Sequence, residues 1–203
     1  MLFRSLHAAE QDRPDIAQAR QDWRREQSGF EPHRLVFIDE SAAKTNMTRL
    51  RGRAPRGQRL VASCPHGHWQ TTTMISSVRL DGSSACRTVQ GATNTAVFQA
   101  YVREMLVPTL RPGDLVVLDN LRAHKNEDTQ ALILAAGAQV RFLPAYSPDL
   151  NPIEMMWSKV KALLRAAQAR THETLMAAIG TALKAVTADD AKGWFAACGY
   201  SFT

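Results

Sequence analysis

The chain has 203 residues, 45% of them hydrophobic and 22% charged, with a formal net charge of +6. That is apolar side chain enough for one sizeable α/β domain and too much for a disordered chain, and the positive balance favours a polyanion such as DNA over an acidic partner. No apolar run approaches the ~20 residues that span a bilayer, the N-terminus carries no signal peptide, and the three scattered cysteines (Cys64, Cys86, Cys198) fit a reducing cytoplasm rather than a disulfide framework.

Residues 1–32 read as an N-terminal linker and helical segment, charged and poor in strand formers. Pro14 opens a helix with Ile16, Ala19 and Trp23 on one side and Arg20, Arg24 and Arg25 on others. Ser28-Gly29 and Glu31-Pro32 end it. No internal repeat or low-complexity tract is visible.

Arg34 to Glu40, RLVFIDE, is a short apolar run ending in acid and reads as a buried strand. Alternation puts Leu35, Phe37 and Asp39 on one face and Val36, Ile38 and Glu40 on the other. Glu40 is therefore assigned a structural or supporting place behind Asp39. The following stretch carries Arg49, Arg51, Arg53, Arg56 and Arg59 among glycines and a proline. Such a basic loop or edge hairpin suits phosphate oxygens, which the guanidinium fork matches. LVASC and HWQTTTMISSVRL read as two antiparallel strands joined by Pro65-His66-Gly67. Cys64, His66 and His68 lie close in sequence, but their spacing matches no standard zinc site.

Asp81-Gly82 marks a turn. Residues 94–107 read as a helix capped by Asn94 or Thr95, with Val97, Phe98, Tyr101, Val102 and Met105 apolar, and Pro108 breaks it. Asp114 to Asn120, DLVVLDN, repeats the first strand's pattern and ends in Asp119. A helix over 127–136, ended by Gly137, leads to a last strand over 139–143. Two C-terminal helices follow at 171–185 and 188–197, and Leu175, Ile179, Leu183 and Val186 pack them on the domain.

Between the last strand and those helices lies SPDLNPIEMMWSKVKALLR, Ser147 to Arg165. Asn151 suits an N-cap and Pro152 the first helical position, where a missing N–H costs nothing. Ile153, Met156, Trp157, Val160 and Leu164 form one apolar stripe, which assigns Trp157 to the core. Glu154, Ser158, Lys161 and Arg165 form a polar stripe beside it. Glu154 also sits where a capping box with Asn151 would put it.

Asp39 and Asp119 each finish a buried strand. Side by side in parallel, they meet at the carboxyl edge of the sheet, where open α/β folds bind ligands. A crossover from Asp119 through a helix and a strand can return Glu154 to the same edge. Three gathered carboxylates repel one another unless a cation lies between them. An all-oxygen donor set selects magnesium or manganese over zinc, and two such ions activate water at a phosphodiester.

The stretches FIDESAAKTNMTRLRGRAPRG, VVLDNLRAHK and FLPAYSPDLNPIEMMWSKVK resemble the DDE transposases of bacterial insertion sequences in the mariner-like superfamily. Asp119 and Glu154 are separated by 34 residues, the spacing of that family's last two acids. The resemblance covers about residues 34–170. It implies an α/β fold with a ribonuclease H-like mixed five-stranded sheet flanked by helices, and a DDE catalytic domain over 33–170, with 171–203 as C-terminal helices packed on it. It implies a metal-dependent DNA endonuclease and strand transferase. Asp39, Asp119 and Glu154 would be its catalytic residues and would hold two magnesium ions, with manganese able to substitute. DNA, both element ends and target, is the implied partner.

Candidate DNA contacts are Arg49, Arg51, Arg53, Arg56, His124, Lys125, Lys161 and Arg165. Such transposases usually begin with helix-turn-helix modules, and Met1 falls about where the linker after them would lie. The expectation is a catalytic half, completed by a separate or frameshift-fused helix-turn-helix half, working as a homo-oligomer in the nucleoid-associated cytoplasm. Two other readings compete. One is a non-catalytic transposase relic acting as a DNA-binding or regulatory fragment. The other is an α/β phosphotransfer enzyme, which the lack of a GxxxxGK[ST] loop or GxGxxG turn disfavours.

Overall fold

The computed structural model describes residues 8–200. The first seven residues of the 1–32 segment and the last three of the 171–203 segment lie outside it, as does the signal-peptide question at the N-terminus.

Five strands form one sheet in the order β3-β2-β1-β4-β5. They are β1 (Leu35–Lys44), β2 (Thr71–Val78), β3 (Cys86–Gln90), β4 (Leu115–Leu118) and β5 (Gln139–Phe142). β1 and β2 pair antiparallel, as do β2 and β3, whereas β1–β4 and β4–β5 are parallel. The sheet is therefore mixed. The helices are α1 (Pro14–Gln27), α2 (Thr95–Tyr101), α3 (Glu127–Ala135), α4 (Pro152–Ala167), α5 (His172–Lys184) and α6 (Ala188–Ala197). α2 continues through a π-helical turn over Val102–Leu106 and a 3-10 turn over Val107–Thr109, where Pro108 stops it. Among the described residues, no helix is long and apolar enough to cross a membrane.

The central strand is buried on both sides, and parity along it sorts the core into two layers. Leu35 and Phe37 join Val117 on one face, under Ile153, Met156, Trp157, Val160 and Leu164 of α4 and residues of α5 and α6. Val36 and Ile38 join Val116 and Leu118 on the other, against Phe98, Tyr101 and Ile133 from the α2 and α3 side. The predicted apolar stripe of α4 is buried throughout its length. Both C-terminal helices open on capping boxes, Thr171 with Thr174 and Thr187 with Asp190.

α1 adds to the α4 layer. Trp23 is buried among the same core residues as Trp157, and its Nε1 donates to Tyr200 Oη at 3.1 Å. The Arg20 guanidinium, also buried, donates to Ser147 Oγ at 2.7 Å and to both Asp149 oxygens at 2.9 and 2.7 Å. A fork–carboxylate pair of this kind fixes direction as well as distance. α1 thus clamps the turn that introduces α4.

Three expectations need correction. LVASC forms no strand: residues 60–64 carry no sheet pairing, and Val61 is 79% exposed. β2 pairs instead with β1 on one side and with β3 on the other, and the CRTVQ of β3 has too little apolar alternation to announce itself. β1 also runs on past Glu40 to Lys44, because β2 pairs along it as far as Thr71, so Asp39 lies within the strand rather than at its end.

Candidate active site

Pairing between β1 and β4 stops at Phe37 and Val117. Beyond that point β1 keeps only its β2 neighbour, and the sheet opens into a notch. Asp39 and Asp119 follow the Phe37 and Val117 parity, so both lean to the α4 side, where Glu154 occupies the first turn of the helix. A cleft of about 480 Å³ results, lined by Asp39, Asp119, Asn120, Tyr146, Asn151 and Glu154 among others.

The three acids differ in surroundings. Asp39 is 9% exposed. Burial, then the charges of Glu154 and Asp119, push its carboxyl up to about 7, against a backbone hydrogen bond at Glu40. Glu154 is exposed and makes no side-chain hydrogen bond among the described residues. Its carboxyl is also raised, by partial burial and the charge of Asp119, with Lys161 opposing. Asp119 goes the other way. Burial alone would raise it, but His124 and the Leu121 N–H, which donates to Oδ1 at 2.8 Å, bring it below the usual range.

His124 departs from its expected place. As a DNA contact it would need a free edge, yet it is fully buried, so that assignment is corrected. Its ring lies against Phe98, centroids 4.2 Å apart. Nε2 is 3.1 Å from both Glu40 oxygens, and Nδ1 is 2.7 Å from Asp119 Oδ1, an ion-pair distance although its N–H does not point in line at that oxygen. Burial disfavours the imidazolium, but the contacts with Asp119 and Glu40 outweigh it and push the ring up to about 9. A cation between two carboxylates is the arrangement this favours. Glu40 is thereby explained: it faces the α2 side, as the alternation required, and holds the histidine there.

Asn151 caps α4 through its backbone alone. Its side chain makes no capping bond, so the expected box with Glu154 is absent. Asn151 Oδ1 is instead buried without a partner, and Glu154 is left free to face the cleft. Tyr146, at φ 56°, turns the chain in the left-handed region ahead of the 3-10 turn Pro148–Leu150 that leads into α4. Asn120, unremarked in sequence beyond its position, donates from Nδ2 to the Leu143 carbonyl and ties the end of β4 to the chain leaving β5.

The donor chemistry fits a hard divalent cation. Three carboxylates line one cleft together with Asn151, whose buried amide oxygen has no partner, and oxygen-only sites of this kind suit magnesium or manganese. Among the described residues, no three acidic, histidine or cysteine side chains are close enough together to hold one ion as they stand. Of the three acids, Glu154 has the fewest restraints, since its side chain makes no hydrogen bond among the described residues.

None of the other candidate DNA contacts is among the residues that line this cleft. Arg49, Arg51, Arg53, Arg56 and Arg59 are exposed on a segment without regular structure. Lys161 and Arg165 line a separate groove with Lys44, Asn46 and Thr48. Lys125 is exposed, its Nζ 5.9 Å from the Phe142 ring centroid. Cys64 donates weakly to the Asn46 carbonyl at 3.0 Å and belongs to no cluster of possible metal ligands among the described residues.

Residues 34–176 match the family described as DDE superfamily endonuclease. No curated protein matches the chain. Among solved structures, the Mos1 transposase paired-end complex with left transposon end superposes with a TM-score of 0.73 at 15% identity, covering 96% of this chain and 62% of that one. The Mos1 mariner paired end complex with Mn gives 0.72 at 17% identity, over 97% and 62%. The catalytic domain of Mos1 mariner transposase gives 0.58 at 16%, over 97% and 91%. The chain thus spans 62% of the length of the first two. At such identities the likeness is one of fold, and that fold is the ribonuclease H-like one, a mixed five-stranded sheet flanked by helices.

Proposed function

Because the chain belongs to the DDE superfamily endonucleases, we propose that it is the catalytic domain of a DNA transposase, which cleaves DNA at element ends and joins the freed 3′-hydroxyl to target DNA. The observation that carries this reading is the meeting of Asp39, Asp119 and Glu154 on one cleft from three distant parts of the chain.

In this reading those acids hold two magnesium ions, with manganese able to substitute. When bound, the ions would polarise the scissile phosphate and lower the pKa of the attacking water or hydroxyl. The chain's own part is to place the ligands. The shared parity of β1 and β4 sets Asp39 and Asp119 at one level. α4, anchored by its buried stripe and by Arg20 on the preceding turn, brings Glu154 opposite. The exposed arginine segment and the Lys161–Arg165 groove supply phosphate contacts that orient the duplex without reading its sequence.

The similar Mos1 structures are paired-end and strand transfer complexes. By that analogy the partners are element ends and target DNA. The same proposal takes the active form as a homo-oligomer, assigns recognition of the ends to a separate or frameshift-fused helix-turn-helix half, and places the work of the protein on the nucleoid in the cytoplasm. The test is nicking of supercoiled DNA by the purified chain in magnesium or manganese. Metal-dependent nicking that each of Asp39→Asn, Asp119→Asn and Glu154→Gln abolishes is expected. Nicking that survives in any of them removes that residue from the site. A folded wild-type chain that binds DNA yet never cuts it favours the non-catalytic relic.

A further inference from the structure

One of the three acids has a support that the other two lack. Asp119 follows the last residue of β4, where the ladder no longer fixes the backbone. Its Oδ1 nevertheless has two neighbours, the Leu121 N–H at 2.8 Å and His124 Nδ1 at 2.7 Å. Its Oδ2 has no hydrogen-bond partner among the described residues, while the residue itself lines the cleft. His124 is fixed in turn, with Phe98 against its face and both Glu40 oxygens 3.1 Å from Nε2. Glu40 belongs to β1, the strand that carries Asp39 on its other face. The chain of contacts therefore runs from one acid-bearing strand through the histidine to the other.

We infer that Glu40 and His124 form a positioning pair for Asp119: Glu40 orients the imidazole, and the imidazole holds the carboxylate so that Oδ2 is left to ligate a divalent cation. This rests on the reading of Asp119 as a metal ligand. His124 does not ligate the ion itself, because it is fully buried and both ring nitrogens face carboxylates. Nor does it meet DNA. Outer groups that orient a ligand typically contribute about 10–100-fold to metal affinity, which separates this role from that of a simple tie between elements.

The experiment measures Mn²⁺ binding to the full chain by electron paramagnetic resonance of the free ion, with a thermal melt of each variant. His124→Phe keeps an aromatic ring against Phe98 and removes both nitrogens; its Mn²⁺ affinity is expected to fall by about tenfold or more. His124→Asn keeps a donor near the position of Nδ1 and is expected to recover most of that affinity at a similar melting temperature. Glu40→Leu removes the acceptor of Nε2 and should weaken binding severalfold, whereas Glu40→Gln, which keeps an acceptor, should not. Folded His124→Phe with wild-type affinity, or His124→Asn no better than His124→Phe, overturns the inference. If His124→Phe fails to fold, the Glu40 pair decides: equal affinity of Glu40→Leu and Glu40→Gln overturns it. Asp119→Asn is the control for the underlying reading. Wild-type Mn²⁺ affinity in that variant refutes Asp119 as a ligand, whereas weakened binding there with intact affinity in His124→Phe refutes only the positioning pair.

Discussion

Asp39 and Asp119 stand level across the sheet, each two residues beyond Phe37 and Val117, the last parallel pair joining their strands. Pairing ends there, so both carboxylates open onto the notch rather than into a ladder. The arrangement suits cation binding at a cost in the bare protein, because a buried, unpaired carboxyl such as Asp39 is unfavourable. Its elevation to about 7 expresses that cost. Asp39→Asn is expected to abolish metal-dependent nicking while raising the melting temperature in chelator at neutral pH. A lower melting temperature in chelator would show that the carboxylate is structural.

The turn before α4 depends on Arg20. Its fork meets Asp149 and Ser147, and the arginine side chain is only 10% exposed, although Asp149 is 46% exposed. Arg20→Ala leaves that end of the turn without its clamp and should destabilise the protein by about 1–3 kcal/mol. Urea unfolding measures the change. Nicking should fall more than stability alone explains, because Glu154 enters α4 directly from this turn.

Asp190 supplies an acid-sensitive contact remote from the cleft. Its carboxyl accepts hydrogen bonds from Lys159, then from the backbone and hydroxyl of Thr187, and is lowered from 3.8 to about 2. A depressed acid adds stability above its unfolded value and loses it as pH falls through its folded one. The contribution of Asp190 should therefore be complete above pH 3.8 and disappear by about pH 2. The melting-temperature gap between wild type and Asp190→Asn is expected to close across that window and to stay constant above it. A gap that does not change with pH would contradict the assignment.

The Lys161–Arg165 groove carries the proposed backbone contact beside Glu154. Removing one cation that neutralises a phosphate lowers the magnitude of the log-affinity against log-salt slope by about 0.9. The double alanine variant should weaken binding to all DNA sequences alike and flatten that slope by about one unit per residue. An unchanged slope in fluorescence anisotropy titrations would remove these residues from the interface.

Much of the scaffold is legible in periodicity. The apolar runs 35–38 and 115–118 and the stripe Ile153, Met156, Trp157, Val160, Leu164 are buried as their spacing requires, because a packed interior selects side chains by position along regular elements. The three acids are legible from their places relative to those runs. What local pattern cannot show is partnership between distant segments. Arg20 with Asp149, Trp23 with Tyr200, and Glu40 with His124 are each set by tertiary packing. His124 resembles a surface residue in sequence because HK at the end of a short motif gives no hint of the Phe98 ring that covers it. Asn151 has the sequence of a side-chain cap, yet its oxygen is buried without a partner and caps nothing. LVASC has strand composition but no neighbour to pair with, and the mixed polar CRTVQ takes the edge beside β2.

The proposed chemistry requires the three carboxylates to share divalent ions. Anomalous diffraction at the manganese absorption edge, from crystals of the chain grown with Mn²⁺, addresses that directly. The expected result is a strong anomalous peak in the cleft, within coordinating distance of oxygens from Asp39, Asp119 and Glu154. Saturating Mn²⁺ with no peak there, or a peak bound by other residues while those carboxylates stay apart, would contradict it.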